Sequence, residues 1–219
     1  MKELLFRCSQ LGKLMTEPKT KAEGPLSVGA KTAIREIAAQ EIFGVDFDVS
    51  SKQMEKGILV EQDSIDLLNA VRGLMLSKNT ERRSNGLITG ECDLYDPDRQ
   101  CGHDVKSAWS LQTFPLCLED ITSATRSLYE WQMRGYMWLW DCPRWEVNYC
   151  MVDTPDNLIG YEPQHLHVVG HIEPAHRITT WVIERDYEKE RLIEQKVKEA
   201  RAYYLQFLEE FEKSRRIEQ

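Results

Sequence analysis

The chain has 219 residues, 42% hydrophobic and 29% charged, the make-up of an ordinary water-soluble globular protein with room for one sizeable core. Its 28 Lys and Arg against 36 Asp and Glu leave a net charge of −8, which argues against a protein that coats nucleic acid generally but not against an enzyme with a local basic groove. No apolar run approaches the length that crosses a bilayer, and the segment from Met1 to Arg7 lacks the apolar stretch of a secretory signal, so a cytosolic location is expected.

In chain order, residues 3–15 suggest a short helix with Ser9 as a candidate cap, and 16–30 a loop punctuated by Pro and Gly. Residues 31–43 follow helical spacing, with Ile34, Ile37, Ala38 and Ile42 on one face. Residues 52–70 form a second helix, with Ile58, Leu59, Ile65 and Leu68 as core candidates. Strands follow over 87–94 and 104–108, joined by a turn at 95–102 rich in Asp, Pro and Gly. Residues 109–122 are irregular and include Pro115; 123–140 return to helix, carrying Leu128, Trp131, Tyr136 and Leu139. Residues 145–152, 165–171 and 178–184 read as strands. From about 186 to 213 the chain is one charged helix with an apolar stripe of Leu192, Ile193, Val197, Ala200, Tyr204, Phe207 and Phe211. This order predicts a single α/β domain over 1–219, a mixed central sheet flanked by helices.

Cys8, Cys92, Cys101, Cys117, Cys142 and Cys150 include no C-x-x-C pair, so a zinc ribbon is not indicated and buried thiols are expected. The chemistry concentrates in Gly90-Glu91-Cys92-Asp93 and Asp104-Val105-Lys106. Antiparallel strands joined by a turn would set Asp93 beside Asp104. Two adjacent carboxylates repel unless a divalent cation lies between them, and oxygen donors suit magnesium and manganese. Lys106 shares a strand face with Asp104, so its ammonium is placed to act on a water and on a phosphate. Val105 faces the core, with its carbonyl available as a ligand. The bland alternative is a solvated Asp-Lys pair on a surface strand.

Gln132 and Tyr136 lie one turn apart on the same helix face, which also suits a core face with a satisfied Gln. Glu61 lies four residues after Gly57, a glycine that would permit close packing; a solvated helix face is the alternative there. The order Glu61, Asp93, Asp104-x-Lys106, Gln132-x-x-x-Tyr136 resembles the PD-(D/E)xK nucleases of the lambda exonuclease and YqaJ-like recombinase family. The likeness extends to Ser9–Leu14 near the start, to 132–153, and to Trp181–Asp186 leading into the last helix.

The resemblance implies a restriction-endonuclease-like core and an exonuclease that digests the 5′ strand of duplex DNA. A 3′ overhang would be left for a single-strand annealing protein. It implies Mg2+, replaceable by Mn2+, on Asp93, Asp104 and the Val105 carbonyl. Lys106 would contact water and phosphate, Glu61 a metal-bound water, and Gln132 and Tyr136 would orient and support the site. Ser9 and Lys13 would bind a substrate phosphate. It also implies a homotrimeric ring around duplex DNA, with basic residues needed only along the channel, in the cytoplasm of a bacterium or phage-infected cell. Three departures stand out: Asp104 replaces the commoner Glu, Cys92 rather than Pro precedes Asp93, and Glu91 adds an acid.

Three rival classes compete. An iron–sulfur nuclease of the same fold would need clustered late cysteines, which Cys117, Cys142 and Cys150 are not. His165, His167 and His171 are candidate zinc ligands, with His165 and His167 on one strand face, but no fourth ligand suggests itself and a hydrogen-bonded histidine is the alternative. Tyr203, Tyr204 and Phe207 offer a partner-binding helix face. Trp109, Phe114 and Trp131 are candidates for stacking on DNA ends, with buried packing as the alternative.

Overall fold

The computed structural model describes residues 4–47 and 50–216. It runs β1 (Phe6–Arg7), α1 (Leu11–Leu14), α2 (Val28–Phe43), α3 (Lys52–Leu59), α4 (Glu61–Arg72), β2 (Arg82–Ser84), β3 (Ile88–Glu91), β4 (Leu94–Asp96) and β5 (Cys101–Ser107). There follow α5 (Ser123–Trp140), β6 (Arg144–Cys150), α6 (Asp156–Ile159), β7 (Ile178–Glu184) and α7 (Tyr187–Arg216). The strands form a small sheet, β1-β3-β2, and a larger one, β4-β5-β6-β7.

In the larger sheet β5 and β6 are parallel and both outer pairs antiparallel. A parallel pair needs a crossover, and α5 supplies it. Both α4 and α5 pack on β5 and β6. Trp145 through Cys150 are accordingly all buried, without the alternation a one-sided sheet would show. The α/β class and the mixed, helix-flanked sheet hold.

Long-range pairing and local breaks change several elements. The helix expected over 3–15 is instead strand β1, a 3-10 turn at Cys8–Gln10, and the short α1; residue 3 lies outside the described residues. The reason is tertiary: Phe6 and Arg7 pair in parallel with Ile88 and Thr89. Ser9 sits inside that 3-10 turn and caps nothing. Helix α2 starts earlier than expected, because the Ser27 hydroxyl accepts the Ala30 N–H at 3.0 Å. The helix expected over 52–70 is two, broken at Val60 (φ −110°, ψ 18°). Ile65 and Leu68 are buried, whereas Ile58, Leu59 and Ile42 are exposed. The strand expected over 87–94 is interrupted at Cys92 and Asp93, where the chain steps from one sheet to the other.

The strand expected over 165–171 is a 3-10 turn (Gln164–Leu166) and loop. Its alternating His and Val imitate a strand, but the backbone groups bond elsewhere: the Val169 N–H donates to Asp153 Oδ1 at 2.6 Å. Helix α7 buries Ile193, Val197, Ala200 and Tyr204, whereas Leu192, expected in the same stripe, stays exposed. Tyr203 and Phe207 pack at the core's edge, so the stripe expected to meet a partner is mostly core. No described helix is long and apolar enough to cross a membrane.

The sheet and α5 meet around Trp145, which is fully buried and stacked on Tyr136 at 5.2 Å. Gly102 faces Trp145 across the β5–β6 ladder, and a Cβ there would overlap the indole ring. A ring packed on every side cannot swing away, so Gly102→Ala is expected to cost about 2–3 kcal/mol. A melting midpoint equal to that of the unmodified chain would show that the ring can yield.

Candidate active site

The site grows from the β4–β5 hairpin. Asp96 Oδ1 accepts the N–H groups of Asp98 and Arg99 at 3.0 and 3.1 Å, and Gln100 takes a left-handed φ of 48°, which closes the turn. The register is Leu94↔His103, Tyr95↔Gly102 and Asp96↔Cys101. Continued by one residue, it sets Asp93 opposite Asp104. Asp93 is tied to β5 as well, since its Oδ2 accepts the Val105 N–H at 2.8 Å. Asp104 is buried, and Lys106 Nζ lies 2.7 Å from its Oδ2. That contact pairs a buried carboxylate with a partly exposed ammonium. Lys106 Nζ also sits over the Tyr129 ring, 5.0 Å from its centre.

The electrostatics follow from burial and neighbours. Asp93 is pushed up to about 7, first by burial and next by the charge of Asp104. Burial works to lower Lys106, but Asp104 and Asp93 more than offset it and hold the ammonium above its ordinary value. Two adjacent carboxylates share the single ammonium of Lys106, which leaves the pair short of positive charge. A hard divalent cation fits it. Among the described residues no three His, Cys, Asp or Glu side chains are grouped to hold a metal. The fitting donors are therefore two carboxylates, a backbone carbonyl and water, the oxygen set magnesium and manganese accept.

A cleft of about 720 Å³ opens over this pair, walled by α3, the start of α4, the end of β5 and α5. Glu61, Asp93, Val105 and Lys106 all line it. Gly57 lines it too, and a Cβ there would meet open space, so its expected role in close packing is not observed. Gln132 Nε2 lies 3.3 Å from the Tyr136 hydroxyl, which donates to the Glu91 carbonyl at 3.1 Å. This pair holds the end of β3, two residues before Asp93. The added acid Glu91 turns its side chain to Arg82, 3.2 Å away. Ser9 and Lys13 lie elsewhere, in a smaller cleft of about 210 Å³ against α2 that includes Arg7, Gln10 and Glu36.

Lys78, Tyr129 and Tyr149 line the main cleft and were not singled out from the sequence. Tyr129 shares the helical face of Gln132 and Tyr136, a signal that was present. Tyr149 stands opposite Lys106 in the ladder, its hydroxyl buried without a partner. Lys78 ion-pairs with Glu61 across a gap of 17 residues that no local pattern announces.

The rival sites dissolve. His167 is buried between Thr154 and Glu162, each 3.1 Å away, while His165 and His171 are exposed. Five of the cysteines are buried and Cys117 is exposed. Trp109 and Phe114 are buried, with the Trp109 indole N–H donating to Glu162 at 3.0 Å, and Trp109 also lines the main cleft.

Neither a protein-family model nor a curated protein matches the chain by sequence. Among solved structures, a phage-related exonuclease from Haemophilus somnus 129PT is 40% identical, with a TM-score of 0.89 over 96% of this chain and 97% of that one. An alkaline exonuclease from Laribacter hongkongensis is 15% identical, with a TM-score of 0.65 over 98% of this chain and 95% of that one, and so shares the fold. The same enzyme in complex with dAMP superposes with a TM-score of 0.62. At 40% identity over nearly the full length of both chains, with Asp93 and Lys106 lining an open cleft beside the buried Asp104, this chain belongs to the lambda exonuclease and YqaJ-like family of exonucleases.

Proposed function

We propose that the protein is a magnesium-dependent exonuclease that digests the 5′ strand from duplex DNA ends and leaves a 3′ overhang for a single-strand annealing protein. One observation carries the reading: Asp93 stands opposite Asp104, Lys106 Nζ lies 2.7 Å from Asp104 Oδ2, and Asp93 and Lys106 line an open cleft. Membership of an exonuclease family supports it.

Asp93, Asp104 and the Val105 carbonyl would hold Mg2+, with Mn2+ as a substitute. The ion would supply Lewis-acid chemistry to a phosphate oxygen and a water. Everything else comes from the chain. Asp104 and the Tyr129 ring fix the Lys106 ammonium, which would contact the water and hold a phosphate oxygen, stabilising the charge that develops there. Glu61, on the opposite wall, is the acceptor that orients a water. Gln132 and Tyr136 keep the Asp93 segment in place through the Glu91 carbonyl. Tyr136→Phe is therefore expected to lower the rate roughly 10-fold, as loss of an outer support typically does. Comparing rate with melting midpoint checks this, since full activity in a folded variant would deny the supporting role.

Ser9 and Lys13 would take a backbone phosphate in the smaller cleft. A homotrimeric ring in the cytoplasm of a bacterium or phage-infected cell completes the proposal, because a basic channel is compatible with a net charge of −8. Linear duplex labelled at either strand end, with magnesium or EDTA, tests the function. Magnesium-dependent loss of 5′-terminal nucleotides is expected; loss from the 3′ ends, or intact DNA on blunt and recessed ends, overturns it.

A further inference from the structure

The segment joining α4 to β2 carries a lysine that the proposed reaction does not use. Lys78 ion-pairs with Glu61 inside the main cleft. Its neighbours on the chain are fixed on both sides. Asn69 clamps Leu76 twice, its amide donating to the Leu76 carbonyl at 2.9 Å and accepting the Leu76 N–H at 3.1 Å. Beyond Lys78, the Asn79 N–H donates to the Asp93 carbonyl at 2.8 Å, and the Asn79 amide to the Cys92 carbonyl at 3.1 Å. The strap that presents Lys78 is thus bonded to the backbone of the candidate metal ligand itself.

Two lysine–carboxylate pairs frame the cleft: Lys106 with Asp104 on β5, and Lys78 with Glu61 at the mouth of α4. Asp93 lies within the electrostatic reach of both lysines. The hydrogen bond to Glu61, followed by the charges of Glu61, Asp93 and Glu91, holds the Lys78 ammonium above its ordinary value. Two-metal nuclease sites place their ions about 3.5–4 Å apart, with carboxylates on both. Glu61 is the carboxylate a second ion would need here.

We propose that the Lys78 ammonium, bound to Glu61, fills the second cation position of this cleft, so that the site takes one divalent ion and not two. The inference rests on the metal reading proposed above. An ammonium supplies a single positive charge with no dehydration of a divalent ion, and its strap sets it in place beforehand.

The test counts bound Mn2+ by electron paramagnetic resonance of the free ion, on the whole chain without DNA. The unmodified protein is expected to bind one Mn2+ per chain and Lys78→Met two, while Lys78→Arg stays at one. Lys78→Met combined with Glu61→Gln should return to one, and the Hill coefficient for magnesium in DNA digestion should rise from about one toward two in Lys78→Met alone. Lys78 is half exposed, so a circular dichroism melt should show each single variant folded. Two ions in the unmodified protein, or one in Lys78→Met, would overturn the proposal. No bound ion in any variant removes the metal reading and this inference with it, an outcome distinct from either.

Discussion

Lys106→Met should remove roughly a thousandfold of the nuclease rate and destabilise the protein at the same time. Both effects follow from one ion pair. The rate is lost because a fixed ammonium next to the reacting phosphate typically contributes 10²- to 10³-fold through charge stabilisation, with further losses when positioning fails. Stability is lost because Asp104 is 2% exposed and Lys106 is the cation beside it. Removing one partner of a buried pair leaves the other charge uncompensated, and since Lys106 keeps 26% exposure the cost is on the order of 2–3 kcal/mol. In a chain of this size that is about 5–10 °C in melting midpoint. Lys106→Arg separates the two roles: the charge and most of the stability remain, but a planar guanidinium cannot take the ammonium's place over Tyr129 and beside Asp104. Activity within a few-fold of normal in Lys106→Met would make this lysine structural only.

Asp93→Asn should abolish activity and, without metal, make the protein more stable at neutral and alkaline pH. Asp93 is pushed up from 3.8 to about 7, by burial and then by Asp104. The sign runs against the usual carboxylate. The unfolded chain ionises this group from about pH 4, whereas the folded chain resists until about 7. Stability is therefore lost as pH rises through that window, and the penalty is complete above it. Asparagine never ionises, and its side-chain oxygen can still accept the Val105 N–H. The gain at pH 8 in EDTA is on the order of 2 kcal/mol, allowing for the partial exposure of Asp93. It should vanish near pH 4. Magnesium should raise the melting midpoint of the unmodified protein and leave the variant's unchanged. Calorimetry at both pH values decides it; a variant less stable than the parent at pH 8 in EDTA would contradict the repulsion between Asp93 and Asp104.

The helix 123–140 and the strand 178–184 were legible to the residue because their signals are local. Thr122 caps α5 through the Thr125 N–H, and Asp141 ends it in the left-handed region. The helix at 52–70 failed at Val60, where α3 turns to form the cleft wall and leaves Ile58 exposed toward it. The start of the chain failed because Phe6 and Arg7 take their backbone partners from Ile88 and Thr89, distant in sequence. The acidic pair was legible because alternation on a strand puts Asp104 and Lys106 on one face, and a short turn returns Asp93 to them. Lys78 was not, because its place depends on how Asn69 and Asn79 anchor the strap. Ser9 and Lys13 as phosphate ligands came only from the family resemblance, and the fold places them in a separate cleft.

The proposed chemistry depends on Asp93, Asp104 and the Val105 carbonyl forming a divalent-cation site. Crystals soaked in manganese and measured near its absorption edge test that directly. An anomalous peak is expected within bonding distance of both carboxylates and of the Val105 carbonyl oxygen, lost in Asp104→Asn. A peak elsewhere in the cleft, or none at a manganese concentration that supports DNA digestion, would contradict it.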